Sequence, residues 1–539
     1  MAEKVFVRDA TGLVREIGFF EHLITNMNGV VPLAAVVLTP WWIWFATPGA
    51  DPFVASFGGL LFSLLGSIIA FAMISSTFPR SAAPYVANSR VLHPAIGWPS
   101  EVLMWLGWAM ALALYPSFMI SWALIPGLYT IGVSTGNQAL INAAMALTTP
   151  YWALLVGLLI LLLALVISVA GTRWLVRYFQ VPITVLAFLG IATLLAVLAG
   201  SSASHLSAVL PKYLGKGYDG IISYAQQNVG QALVPYSYSL GLFLLSLGFT
   251  AGSFNTYWNS WTSGEVKRAS DIKMQIAAMA LPSLLIGALV MSTLYLATRV
   301  AGDTFLRSLT MILSTNPSFF GAPAIAGFAG TSTMTLVPMM LADNPVLQFL
   351  IMVGMVASVL SYIPVTMLII SREWFAWAFD RLLPSKFASV SAKFNTPVIS
   401  LVTNFIIGLI LFTIFTFYGA YLGFFTTVAW DTTLVPITLL CLSAALLPLR
   451  REFWSLSPAR NYRLGGVPLI VIGGILGAFY NGLAVWVYST TPALGFGLPS
   501  TLVILVTFLI PFVLYWVVRY ARKRQGIDIE LIFRSLPPE

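Results

Sequence analysis

His22-Leu-Ile-Thr-Asn26-Met-Asn28-Gly29-Val-Val-Pro32 lies inside an apolar run that continues to residue 46. Two asparagines, a glycine and a proline weaken a helix. The run is nevertheless long enough for a bilayer core, which takes roughly 20 apolar residues. Interrupted backbone at membrane depth is tolerated where it lines a cavity, so the stretch predicts a membrane helix broken around a site. A second stretch has the same character: Leu247-Gly248-Phe249-Thr250-Ala-Gly252-Ser253-Phe254-Asn255-Thr256. Broken helices at corresponding positions of two inverted halves are the form in which transporter sites are built. Helix packing through small residues is the other use of such positions.

Composition narrows the class. Of 539 residues 59% are hydrophobic and 8% are charged, and mean hydropathy is +0.90. Soluble domains carry about 25% charged residues. These values exclude a soluble enzyme, a disordered chain and a nucleic-acid binder, and leave an all-α integral membrane protein. The single cysteine, Cys441, lies in an apolar run and reads as an inert core residue. With His22, His93 and His205 as the only histidines, a haem or copper centre is not expected. The charged first 20 residues lack the apolar core of a signal peptide.

Runs of sufficient length predict twelve spans: 23–46, 53–77, 98–130, 151–170, 176–200, 236–262, 274–299, 344–371, 397–418, 421–448, 466–489 and 497–519. Pro116 and Pro126 predict a kink in the third. The chain then divides into an N-terminal segment (1–21), five spans (22–200), a loop (201–235), five further spans (236–449), a loop with two C-terminal spans (450–520) and a tail (521–539). Of the 27 lysines and arginines, all but Lys212, Lys216, Arg299 and Arg307 fall on the face of the termini. The positive-inside rule makes that face cytoplasmic, and the expected location is the plasma membrane. The loop near 300–343 contains an apolar stretch, Phe305 to Leu313, that reads as a surface helix serving as an outer lid or a simple connector. The basic start of the tail is expected to lie against anionic headgroups.

No catalytic motif, metal-binding spacing or ATP-binding loop is found, so neither an enzyme nor a cofactor is expected. A break exposes N–H groups at the start of one half-helix and C=O groups at the end of another. The first suit a carboxylate and the second an ammonium, so the pair suits a zwitterionic amino acid. Phe249, Phe254, Tyr257 and Trp258 read as residues that gate the site or stack on the solute, or as packing. Asp431 lies about ten residues into the tenth span, where an acid costs about 2.5–3.5 kcal/mol on insertion. That makes it a candidate for proton coupling or for pairing with a cationic substrate group; an acid bonded to neighbouring threonine hydroxyls near the headgroups is the other reading. Ser358 and Ser361 are candidates for a sodium site or bond back to their own helix. Glu101 reads as the first turn of the third span, and Glu21 and His22 as interfacial.

Four loops resemble the amino acid–polyamine–organocation (APC) family. They are Phe78-Pro79-Arg80-Ser81-Ala82-Ala83-Pro84-Tyr85-Val86 with Arg90; Gly171-Thr-Arg173 with Gln180; Glu265-Val-Lys267-Arg268; and Ser371-Arg372 with Phe379-Asp380-Arg381-Leu382-Leu383-Pro384 and Thr396-Pro397. The resemblance covers residues 20–450 and implies a LeuT-type fold: a five-helix repeat, its inverted copy and two C-terminal helices. It also implies a secondary transporter of amino acids or related amines, working by alternating access. Asn26, Asn28, Gly29, Gly252, Ser253, Phe254 and Asn255 then face the substrate. Alanines 82 and 83 stand where the family has glycines, and Ala269 where it has proline. Ala187 stands three residues after Thr184, where proton-coupled members carry lysine. Coupling to a proton, to sodium or to exchange is left open. A non-transporting receptor or structural subunit on the same scaffold is the alternative.

Overall fold

Prolines and side-chain caps set where the spans begin. The computed structural model describes residues 15–536 except 321–331, 392, 419–421 and 492–496. Pro52, Pro94, Pro150 and Pro345 each occupy a first helical position, where the missing N–H has no partner to lose. Asp51 accepts a hydrogen bond from the Phe53 N–H (2.8 Å) and Asn344 one from that of Val346 (2.9 Å). Asp271 accepts from Lys273 and Met274. Each satisfies orphan donors at a helix start.

The spans are 1 (Phe19–Asn28 and Pro32–Ala46, called 1a and 1b), 2 (Pro52–Thr77), 3 (Pro94–Thr135), 4 (Pro150–Val169), 5 (Trp174–Gly200) and 6 (Leu240–Gly248 and Ala251–Phe254). They continue with 7 (Ile272–Ala301), 8 (Pro345–Phe379), 9 (Val398–Phe417), 10 (Leu422–Leu446), 11 (Leu469–Tyr488) and 12 (Leu498–Arg524). Among the described residues eleven helices are long and apolar enough to cross a membrane. The sixth span falls outside that number because it is broken into pieces too short to qualify alone. The expected kink in span 3 is a π-helical turn at Ile120–Leu124, between Pro116 and Pro126.

Packing follows an internal symmetry. Span 5 lies on span 8 as span 10 lies on span 3, and span 4 lies on span 8 as span 9 lies on span 3. These are the same contacts in two repeats of five. Span 1 is central, with 83% of its apolar window buried, whereas span 12 has 11% buried and faces outward along Leu505, Leu509 and Val513. Spans 5 and 8 touch through backbone: a Cβ built on Gly190 would lie 2.4 Å from Gly354 Cα. Cys441 is fully buried, as expected of a core residue.

Both long loops carry helices. Ala203–Leu214 and Tyr218–Asn228 lie in the first, Asp303–Thr315 and Thr333–Ala342 in the second. Asp303–Thr315 packs on span 1b, where Trp41 Nε1 donates to Ser314 Oγ (3.0 Å). The expected helix is present and packs against span 1b, at the end of span 1 away from the N-terminus. The tail follows span 12 directly. Span 12 continues to Arg524, and a turn at Ile529–Ile532 folds back onto the protein, burying Ile529 and pairing Glu530 with Arg519 at 2.8 Å.

Gly354→Val forces spans 5 and 8 apart, and the variant is expected to lose its monodisperse peak in size-exclusion chromatography. Gly220→Ala, with open space around it in the helix Tyr218–Asn228, is the control. It is expected to raise stability by up to about 1 kcal/mol in thermal unfolding.

Candidate functional site

Span 1 holds its helix through Asn28 and breaks at Gly29–Val31, with Val31 in the left-handed region at φ 51°. Span 6 breaks twice, at Phe249–Thr250 and at Asn255–Tyr257, before a 3₁₀ segment at Trp258–Glu265. The first break thus falls one turn later than the asparagines suggest. Gly29 and Gly252 are where the breaks meet large side chains. A Cβ on Gly29 would lie 2.3 Å from Trp258, and one on Gly252 would lie 2.0 Å from Trp430. Neither position admits a side chain without displacing the tryptophan packed against it.

The other residues divide by direction. Ser253 Oγ accepts from Thr39 Oγ1 of span 1b (2.7 Å), linking the two broken spans. The carbonyl of Phe254 accepts from Ser63 Oγ (2.7 Å) and Ser283 Oγ (2.9 Å). Asn26 donates to the Ala278 carbonyl (3.2 Å) and accepts from the Asn259 N–H (2.8 Å). Asn28 donates to Thr184 Oγ1 (2.9 Å), towards span 5. Asn255 donates to Asn481 Oδ1 (3.0 Å), towards span 11. All three asparagines therefore brace the breaks against neighbouring spans.

Phe249 stacks on Trp42 at 6.0 Å and meets Tyr488 edge-on at 5.2 Å. Tyr257 stacks on Phe71 at 3.6 Å. Asp431 is buried and accepts from Ser489 Oγ (2.9 Å) through one carboxylate oxygen, while the other has no hydrogen-bond partner. Its bonded partner is on the segment after span 11 and not on span 1 or 6. Ser358 Oγ accepts from the Leu33 N–H (3.2 Å), just past the break in span 1. Ser361 bonds back to the Ser358 carbonyl (2.8 Å) on its own helix. The structure brings Gly29, Gly252, Ser253, Phe254 and Ser358 to the breaks. Trp258 and Trp430 join them, as does Trp108, 4.7 Å edge-on to Trp258.

The face bearing the N-terminus is closed by charge. Arg372 of span 8 pairs with Glu265 at 2.7 Å, and both are buried. Thr172 donates to the same carboxylate (2.5 Å) and accepts from Arg372 (3.0 Å). Ile17 forms a parallel bridge with Val266, and the Lys267 N–H donates to the Ile17 carbonyl (2.8 Å). Arg90 holds Asp380 with two hydrogen bonds (2.6 and 3.0 Å), and Tyr85 donates to it as well (2.8 Å). His22 is buried, where the sequence suggests an interface. It donates to Gln275 (2.8 Å) and accepts from Asn259. A cleft of about 200 Å³ reaches this lock from outside, lined by Glu16, Glu21, Arg173, Arg177 and Lys267 among others.

A discontinuous first and sixth span inside two five-helix repeats defines the LeuT-type transporter fold. The crystal structure of MhsT in complex with L-phenylalanine has this likeness, with a TM-score of 0.52 at 14% identity over 87% of this chain and 98% of that one. The family described as amino acid permease matches residues 17–510, so the chain belongs to that family and is a multi-pass membrane transporter. None of the curated proteins matches it by sequence.

Removing one member of a buried ion pair costs about 3–5 kcal/mol. Arg372→Ala is expected to open the lock, and a 3 kcal/mol loss is about a hundredfold in population. A cysteine at buried Ala278 (A278C, in a C441A background) is then expected to react with an impermeant maleimide about a hundredfold faster. An unchanged rate removes the Arg372–Glu265 pair from the gate.

Proposed function

We propose that this protein moves neutral, apolar amino acids across the plasma membrane by alternating access, with the basic face and both termini in the cytoplasm. One observation carries the substrate class: the glycines at the two breaks pack against Trp258 and Trp430, and among the described hydrogen bonds those at the breaks come from uncharged groups. The positive end of span 1b serves the substrate carboxylate and the carbonyl end of span 1a its ammonium. The indoles are the surfaces that a side chain of the solute displaces. The basic excess of the terminal face supports the orientation. L-Phenylalanine in MhsT supports an apolar amino acid in a site of this architecture.

Two candidates serve coupling. Ser358 meets the break in span 1 from span 8 and is the better placed of the two serines to sense a cation there. Asp431 lies in the outer half of span 10 with one carboxylate oxygen unpartnered, and serves as an acceptor for a proton from outside.

The test is uptake and counterflow of labelled amino acids by proteoliposomes. Neutral apolar amino acids are expected to exchange, and Gly252→Ala, which pushes the Trp430 ring aside, is expected to lower that exchange. At a hundred times its dissociation constant a substrate is expected to raise stability by about 2.7 kcal/mol in a thermal-shift screen. If no amino acid or polyamine exchanges or accumulates under any ion gradient, the reading fails. Asp431→Asn is expected to flatten the dependence of uptake on external pH; an unchanged profile removes Asp431 from coupling.

A further inference from the structure

The cleft that reaches the lock at the basic face is lined by charge of both signs. It measures about 200 Å³, and its walls include Arg173, Arg177 and Lys267, the acids Glu16 and Glu21, and Thr172 of the lock itself. Sites for drug-sized ligands run to about 300–1,000 Å³, so this cleft takes a small polar group and not a whole lipid or peptide. Three elements supply the charges. Glu16 precedes span 1a and Glu21 lies in its first turn. Arg173 and Arg177 stand one turn apart at the start of span 5, and Lys267 follows the 3₁₀ segment after span 6. The three basic side chains are exposed. Arg177 and Glu21 approach only to 3.8 Å, which is too long for a hydrogen bond, so both retain bonding capacity.

Exposed aromatic residues flank the same charges. Phe19 and Phe20 come just before Glu21, Trp174 follows Arg173, Tyr178 follows Arg177, and all four are exposed. The Trp174 and Tyr178 rings lie 4.7 Å apart. Exposed tryptophan and tyrosine at the end of a membrane span mark the headgroup level of a bilayer. The cleft therefore opens where lipid headgroups lie, with apolar surface beside it for acyl chains. The charges select among headgroups. Guanidinium and ammonium groups take a phosphate. A headgroup with a phosphate and no cation meets Glu16 and Glu21, which repel it. Ethanolamine adds a primary ammonium with three N–H donors, which the two carboxylates accept. Choline has no N–H to give them.

We propose that this cleft binds the headgroup of phosphatidylethanolamine from the leaflet on the basic side, and that the bound lipid holds the basic face closed. Arg173, Arg177 and Lys267 take the phosphate, and Glu16 and Glu21 take the ammonium. The cleft shares its walls with the lock: Thr172 bonds both Glu265 and Arg372, and the Lys267 N–H holds the Ile17 carbonyl. One headgroup thus bridges the start of span 5, the entry to span 1a and the segment after span 6. Parting these elements takes the cleft apart. A ligand that needs all three binds the closed state more tightly and shifts the population towards it. The closing role rests on the alternating-access reading above; the binding of the lipid does not.

Native mass spectrometry of the full chain in detergent, with equal amounts of phosphatidylethanolamine, phosphatidylcholine and phosphatidylglycerol, tests the binding and needs no transported substrate. The ethanolamine lipid is expected to be retained over the other two. Each base removed is expected to weaken it about fivefold, so R173Q/R177Q loses it, while E16Q/E21Q loses the preference over phosphatidylglycerol. Equal retention of the ethanolamine and choline lipids overturns the proposal, and so does a preference that survives both variants. Displacement by an equal concentration of O-phosphoethanolamine assigns the cleft to a soluble ligand and overturns the lipid. A second measurement uses the lock reporter A278C in nanodiscs, normalised to a cysteine at exposed Ser455 (S455C). Phosphatidylethanolamine at ten times its dissociation constant is expected to slow labelling up to about tenfold, and E16Q/E21Q to remove that effect. Labelling that ignores the lipid overturns the closing role. Selective retention of the lipid with no uptake of any amino acid overturns the transport reading alone.

Discussion

A peptide group left unpaired in hydrocarbon costs several kcal/mol, and two broken spans release many such groups at the centre of the bundle. The neighbouring spans carry the side chains that take them up. Ser63 of span 2 and Ser283 of span 7 both donate to the Phe254 carbonyl. Ser358 of span 8 accepts from Leu33, and Asn26 accepts from Asn259. Thr256 returns a hydroxyl to the Met279 carbonyl. Polar residues in spans 2, 7 and 8 are therefore consequences of the breaks in spans 1 and 6. They are also what keeps those breaks at fixed positions while the rest of each helix stays regular.

The same constraint explains the loops that carry the family likeness. Tyr85 and Arg90 converge on Asp380, while Thr172 and Arg372 converge on Glu265. Gln180 accepts from Thr25 of span 1a (3.0 Å), and Thr396 donates to the Val169 carbonyl. Residues that lie far apart in the chain thus form one layer that ties the loops of both repeats together. Ala82, which occupies a glycine position of the motif, takes the left-handed conformation at φ 53°. Its N–H reaches the Trp261 carbonyl at 2.7 Å, so the turn is retained at the cost of some backbone strain.

Twelve spans, the kink in span 3 and the existence of both breaks were legible because each rests on a local pattern: an apolar run, a proline, a cluster of helix-weakening residues. The position of the first break was not. Asparagine weakens an isolated helix, yet Asn26 and Asn28 find partners on spans 7 and 5 and the helix runs through them. Val31 carries the turn at positive φ, where a β-branched residue gives no local signal. Trp430 escaped notice as a site residue because an indole in an apolar stretch reads as packing; what singles it out is Gly252, which it meets from a distant part of the chain.

A lock made of ion pairs has a thermodynamic property that an apolar seal lacks. Exposing apolar surface to water costs about 25 cal/mol per Å², so a hydrophobic plug strongly favours one state. A buried pair loses its mutual attraction on opening but regains the hydration of both partners, and the two terms nearly cancel. Arg372–Glu265 and Arg90–Asp380 at the basic face share this chemistry with Lys212–Asp343 at the other. The pair at the far face is more exposed than those at the basic face, so the two ends differ in how much desolvation each must reverse. On the alternating-access reading proposed above, ends held by interactions of small net worth let the binding energy of a small solute decide which end opens.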